Sequence, residues 1–191
     1  MEVTDCKNKE LLKGNKKYLE KKCHDKDLTE EATKHDILIT CMDARIDPLA
    51  LGHFKIGQTY VMRNAGGRAT DDMIRSAVLA IRFFKADTIY LVQHTDCGME
   101  KVDDPEVRKL LGQNLGPAHL HDHHVEKHNR DKYRQSDYVA FLAFKDLRES
   151  IIDDVYRLRS NKLISEKVHI LGYILDIQTG KLELVAKSPG K

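Results

Sequence analysis

Two short segments of this chain carry side chains whose types and spacing can do chemistry together. Cys41-Met42-Asp43-Ala44-Arg45 and, further along, His94-Thr95-Asp96-Cys97-Gly98 offer two thiolates and one imidazole. That set is soft and contains nitrogen, which suits zinc better than Mg²⁺ or Ca²⁺. Closed structural zinc sites use four protein ligands, whereas catalytic sites use three and leave the fourth position open. Cys41, His94 and Cys97 therefore point to a catalytic zinc. Two thiolates cancel the formal charge of the ion, so acidifying a bound water to a pKa of about 7 needs help from neighbouring groups. Asp43 and Arg45 can give that help. Held by a bidentate salt bridge to Arg45, the Asp43 carboxylate can accept a hydrogen bond from a zinc-bound hydroxide and fix its direction. With the pair broken, Asp43 can swing onto the metal and close the open position. A zinc that only stapled strands together would have no need of the Arg.

The elements needed to position these groups can be read from patterning. Asp36 to Cys41 is a short apolar, β-branched run that fits a buried strand. Asp47-Pro48 reads as an N-cap and first-turn Pro opening a short helix toward His53. Tyr60 to Met62 is a second strand, ending at Arg63-Asn64-Ala65-Gly66-Gly67. Thr70-Asp71-Asp72 caps a helix whose inner face holds Met73, Ile74, Ala77, Val78, Ile81 and Phe84. Thr88 to Gln93 is a third strand, leading directly into His94. The order β-α-β-α-β with short links predicts an α/β fold, a mostly parallel central sheet flanked by helices. Sites in such sheets form beyond the carboxyl ends of the strands. Cys41, the Gly-rich turn and His94 all fall there. The glycines of that turn allow close backbone approach, so beside a zinc Ala65, Gly66 and Gly67 read as a substrate wall. Alone they would be only a tight strand-to-helix turn.

The remaining segments are less telling. Residues 8 to 23 read as an N-terminal helix with a narrow stripe of Leu11, Leu12, Tyr18 and Leu19, which needs something to lie on. From Pro105 to Tyr133 the pattern fades, around a His-rich run at His119, His121, His123, His124 and His128. Those histidines read as a solvated loop in preference to a proton relay or second metal site. Helix resumes from Ser136 to Arg159 with a break near Asp146 to Glu149. Val168 to Leu175 is a fourth strand, and Asp176 to Gly180 turns into a last one at Lys181 to Val185, an antiparallel edge. The expected organisation is one domain over residues 1–191, with a helical arm at 1–35 and an irregular insertion at 103–133.

Composition sets the outer bounds. The chain has 191 residues, enough for one domain with a real core. A net charge of +2 implies no general nucleic-acid-binding field, and the N-terminal lysines are interleaved with acidic residues. No apolar run of about 18 residues is present to span a membrane. Met1 to Glu10 lacks the apolar segment of a signal peptide, which gives a cytoplasmic expectation. Cysteines in that setting read as metal ligands or catalysts before disulfides, and Cys6 and Cys23 read as free thiols.

Cys41-Met42-Asp43-Ala44-Arg45, Arg63-Asn64-Ala65-Gly66-Gly67 and His94-Thr95-Asp96-Cys97-Gly98-Met99 resemble, in order and spacing, the β-class carbonic anhydrases, and most of all their short archaeal-type branch. The stretch from Leu158 to Gly180 is also similar to that branch. The resemblance implies zinc on Cys41, His94 and Cys97, with Asp43 and Arg45 as a catalytic dyad. It implies reversible hydration of carbon dioxide to bicarbonate, and a homodimer or homotetramer with the N-terminal helix reaching over a partner. Relatives of the short branch hydrolyse carbonyl sulfide or carbon disulfide on the same zinc site, so sulfur substrates are the alternative. A non-enzymatic zinc protein is the third. The position of a substrate-contacting Gln in the plant-type branch is Lys55 here, and residues 103 to 133 match nothing in the family pattern.

Overall fold

Alternation of side chains along the strands decides which face of the sheet each helix covers. The computed structural model describes residues 3–21, 26–114 and 140–190. The chain divides into two compact units, Met1–Glu30 and Glu31–Lys191. The first holds helix α1 (Val3–Glu20), on which Leu11, Leu12, Tyr18 and Leu19 are all exposed.

The second unit is built on a sheet ordered β2-β1-β3-β4-β5, from β1 (Asp36–Cys41), β2 (Thr59–Asn64), β3 (Thr88–His94), β4 (His169–Leu175) and β5 (Leu182–Ser188). The first four are mutually parallel, and β5 runs antiparallel to β4. Ile37, Ile39, Ile89, Leu91 and Ile170 share one face. There they meet Met73, Ile74 and Ala77 of α3 (Asp71–Phe84) and Ile151, Val155 and Leu158 of α5 (Leu147–Ser160). Each of these side chains larger than alanine contributes roughly 1.5–3 kcal/mol by leaving water. Gly172 of β4 lets α5 lie close, because a Cβ there would sit 2.5 Å from Ile151 Cγ2. On the opposite face Leu38, Val92 and Leu175 pack with Ile46 and Phe144, together with the thiols of Cys41 and Cys97.

Capping follows the expected chemistry. The Asp47 carboxylate accepts from the N–H groups of Leu49 and Ala50 at 3.0 and 3.1 Å and opens α2 (Pro48–Leu51). The Thr70 hydroxyl accepts from Met73 N–H to open α3. Lys85, in the left-handed region at φ 58°, closes α3 through a bond to the Ala80 carbonyl.

Two expectations are corrected. Residues read as irregular from position 103 begin a helix, α4 (Asp104–Asn114), whose start is fixed by Asp103 accepting from Glu106 N–H at 2.7 Å. Over 140–146, within the stretch expected to be helix, the chain is not helical, and α5 begins at Leu147 behind the N-cap Asp146. Residues 140–146 instead form an irregular strap. Its Phe141 and Ala143 N–H groups are taken by the Asp104 carboxylate at 3.2 and 2.9 Å, and Leu142 adopts φ 56°. A side chain that claims backbone donors in this way competes directly with a helix. Residues 136–139, the His-rich run and Cys23 lie outside the described residues, as does the side chain of Cys6.

The topology places the site. From β1 the chain steps to β2 on one side, then crosses back through α3 to lay β3 on the other. The direction of winding reverses between β1 and β3, and a crevice opens at their carboxyl ends. Cys41 ends β1 and His94 ends β3.

Candidate metal and active site

Cys41, His94 and Cys97 are buried, and their ligand atoms all lie within 4.8 Å of one another. The two sulfurs are 4.0 Å apart. A tetrahedral ion with Zn–S bonds of about 2.3 Å holds its sulfurs roughly 3.8 Å apart, so the pair is spaced for one metal. The imidazole is oriented for the same task. His94 Nδ1 lies 2.9 Å from the Thr95 carbonyl, which fixes the proton on Nδ1 and leaves the Nε2 lone pair free. Nε2 is buried and has no hydrogen-bond partner among the described residues. A buried nitrogen without a partner costs about 1–3 kcal/mol, and a metal would satisfy it. The donors fit zinc.

The electrostatics favour thiolate at one sulfur. The hydrogen bond with Cys97 holds the Cys41 thiol well below its usual range, against burial, and His94 and the N–H groups of Asp43 and Gly66 add to it. The same bond, with burial, pushes the Cys97 thiol up. Burial would lower the His94 imidazole, but the neighbouring Cys41 sulfur outweighs burial and raises it.

Asp43 and Arg45 stand beside this cluster and are bonded to each other. Arg45 Nε and Nη2 donate to the two Asp43 oxygens at 3.0 and 2.8 Å, and the Arg45 backbone N–H adds a third bond at 2.9 Å. The side-chain hydrogen bonds from Arg45 hold the Asp43 carboxyl well below the usual carboxylate range. Asp43 Oδ2 lies 3.7 Å from His94 Nε2, so the carboxylate faces the position a metal would fill. Arg63 donates to the carbonyls of Cys41 and Asp43 at 3.0 and 2.7 Å and fixes the backbone between them.

The Gly-rich turn sits behind Cys41. Gly66 and Gly67 have φ of 78° and 64°, a region L side chains rarely adopt. A Cβ on Gly67 would lie 2.9 Å from the Cys41 nitrogen and 3.2 Å from the Val92 carbonyl oxygen. Gly66 turns its N–H to the Cys41 sulfur, and both glycines are buried. Ala65 is exposed, as is Lys55 beyond α2.

Two further groups were not singled out from sequence. Asp96 accepts from Arg45 Nη1 at 2.8 Å through its carboxylate and from Nη2 at 3.1 Å through its carbonyl, and Lys101 pairs with the same carboxylate. Its position between two donors was the available signal. Behind the turn, Arg68 donates through Nε and Nη2 to Asp154 at 2.6 and 3.2 Å, and through Nη1 to the Leu142 carbonyl at 2.7 Å. Asp154 also accepts from Gln93 at 2.9 Å, and Gln93 accepts from Ser150 at 2.8 Å. Asp154 on the apolar stripe of α5 was the signal for this buried pair.

A profile of the family described as carbonic anhydrase matches residues 36–182. The chain is 31% identical over 153 residues to β-carbonic anhydrase 1 of Mycobacterium tuberculosis, which covers 80% of this chain and 83% of that protein. It is 32% identical over 151 residues to a carbon disulfide hydrolase of an Acidianus species, covering 76% and 74%. The crystal structure of a carbonic anhydrase from Streptococcus mutans matches with a TM-score of 0.79 at 28% identity, covering 97% of this chain and 99% of that one. With three donors spaced for zinc at the switch point of a parallel sheet, the chain belongs to the β-carbonic anhydrase family of zinc enzymes.

Proposed function

We propose that this protein catalyses reversible hydration of carbon dioxide, with zinc held by Cys41, His94 and Cys97. The observation that carries the reading is the Asp43 carboxylate, gripped by Arg45 and aimed at the unpartnered Nε2 of His94. Zinc, when bound there, supplies the Lewis acidity that makes a nucleophile of water near neutral pH. The protein groups do the rest. Asp43 accepts a hydrogen bond and aims the attacking lone pair, and Arg45 keeps Asp43 from turning onto the metal. Nδ1 of His94 stays bound to the Thr95 carbonyl and keeps the imidazole in its liganding tautomer. Ala65 and the backbone of Gly66 and Gly67 stand as the substrate wall. The family reading extends to a homodimer or homotetramer, and the thiolate ligands suit a reducing, cytoplasmic setting.

Hydrolysis of carbonyl sulfide or carbon disulfide is the second reading. Carbon disulfide hydrolases match this chain as closely in identity as the β-carbonic anhydrases do. An apolar cavity of about 210 Å³, lined by Leu38, Leu51, Phe54 and Val92 among others, lies on the sheet face that carries the thiols. One paired assay decides between them: stopped-flow hydration of carbon dioxide and sulfide release from carbonyl sulfide on the same zinc-loaded preparation. Hydration above buffer with little sulfide supports the lead, and the reverse selects the second reading. No turnover of either sinks both. Cys41→Ser, His94→Ala and Cys97→Ser are each expected to deplete zinc measured by mass spectrometry. Asp43→Ala and Arg45→Ala are expected to keep zinc and lose most turnover.

A further inference from the structure

We propose that Asp96 is a positioning residue that holds Arg45, and through it Asp43, in the working geometry. This rests on the roles given above to Asp43 and Arg45. The side chain of Arg45 is 48% exposed, and a single exposed ion pair on a long side chain contributes little. Asp43 alone is therefore a weak hold on a guanidinium that has many rotamers to visit.

The structure supplies a second anchor from the other zinc-bearing segment. Nη1 goes to the Asp96 carboxylate and Nη2 to the Asp96 carbonyl, while Nε and the other Nη2 proton go to Asp43. Four guanidinium protons are thus committed, in two directions. A planar fork held on two edges cannot rotate about its own axis without breaking bonds on both sides. Lys101 pairs with Asp96 in turn, so charges alternate along Asp43, Arg45, Asp96 and Lys101. Such a network holds where an isolated surface pair does not. Asp96 itself sits at φ 56°, a strained conformation that aspartate tolerates better than most residues. The strain turns its carboxylate and carbonyl together toward Arg45. Because Asp96 lies between His94 and Cys97, the clamp also ties the segment after β1 to the segment after β3.

Asp96→Asn removes the charge and keeps a residue suited to positive φ. Asp96→Gly removes the whole side chain and relieves the strain. Both variants are expected to retain stoichiometric zinc and to lose roughly fivefold in turnover, the exposed end of the range for a charge-assisted bond. Crystal structures of the zinc-loaded variants should show Arg45 released from its present fork and Asp43 rotated from its present position. If Asp96 acts through Arg45, adding Asp96→Asn to Arg45→Ala costs nothing further. Losses that multiply in the double variant would overturn the proposal, as would an unmoved Arg45 in the variant crystals. Should the wild type turn over neither carbon dioxide nor carbonyl sulfide, the functional reading fails. The placement of Arg45 and Asp43 in the crystals still decides the role of Asp96.

Discussion

Replacing Arg68 by Met tests whether the buried pair behind the site is held by charge or only by shape. The Arg68 side chain is 9% exposed and that of Asp154 2%. Asp154 Oδ2 accepts from Arg68 Nε and Gln93 Nε2, and Oδ1 from Arg68 Nη2. Arg68→Met deletes two of those three bonds and leaves the carboxylate with Gln93 alone. It also frees the Leu142 carbonyl, which anchors the 140–146 strap. An uncompensated charge left in such a place costs about 3–5 kcal/mol. A protein of this size loses about 2–4 °C in Tm per kcal/mol, so a fall of roughly 6–20 °C is expected. Thermal and urea unfolding of zinc-free protein are the assays, because bound metal would add its own stabilisation. The double variant Arg68→Met/Asp154→Leu removes both charges and should recover most of the loss. A single variant within about 1 kcal/mol of wild type would refute the reasoning. A double variant as weak as the single would assign the loss to packing.

Two further predictions address the site itself. Gly67→Ala forces a side chain into the left-handed region, at about 1–2 kcal/mol, against backbone atoms of Cys41 and Val92 that leave no room. With overpacking of about 1–3 kcal/mol added, stability should fall by roughly 2–5 kcal/mol and zinc should be lost to weaker chelators; unchanged unfolding and chelator midpoints would contradict this. Because Arg45 depresses the Asp43 carboxyl, the pair's contribution is present above the ordinary value of 3.8 and is lost only as pH falls below it. Carboxyl ¹³C NMR should find Asp43 still ionised at that pH and find its titration raised in Arg45→Ala; an unmoved midpoint would remove Arg45 as the cause.

What the sequence made legible was whatever is written locally. Asp47-Pro48 and Thr70-Asp71-Asp72 announce helix starts through chemistry confined to a few residues, and both caps form as expected. The three zinc donors were legible because Cys41 and His94 end their strands, Cys97 follows three residues after His94, and parallel order brings strand ends to one edge. The strap at 140–146 was not, because Phe141, Leu142, Ala143 and Phe144 have the apolar pattern of a helix. Only the distant Asp104, which takes two of their N–H groups, keeps them out of a helix. α4 was missed for the complementary reason, since its start signal at Asp103 precedes a short and weakly patterned stretch. The Arg68–Asp154 pair joins residues far apart in the chain, and nothing local to Arg68 announces a burial partner.

The placement of Cys41 and His94 on adjoining central strands has a consequence for how metal leaves. β1 and β3 are each flanked by strands on both sides, and Cys41 and His94 at their ends stay paired with Asn64 of β2 and Leu175 of β4. Local opening is cheapest at loops and chain ends and dearest in central strands. Two of the three donors therefore have no inexpensive excursion that would expose them, and only Cys97, on the turn beyond β3, can move ahead of the sheet. Metal exchange should then begin at Cys97 and finish on the timescale of sheet opening, which makes the residence time of zinc a clock for the stability of the fold.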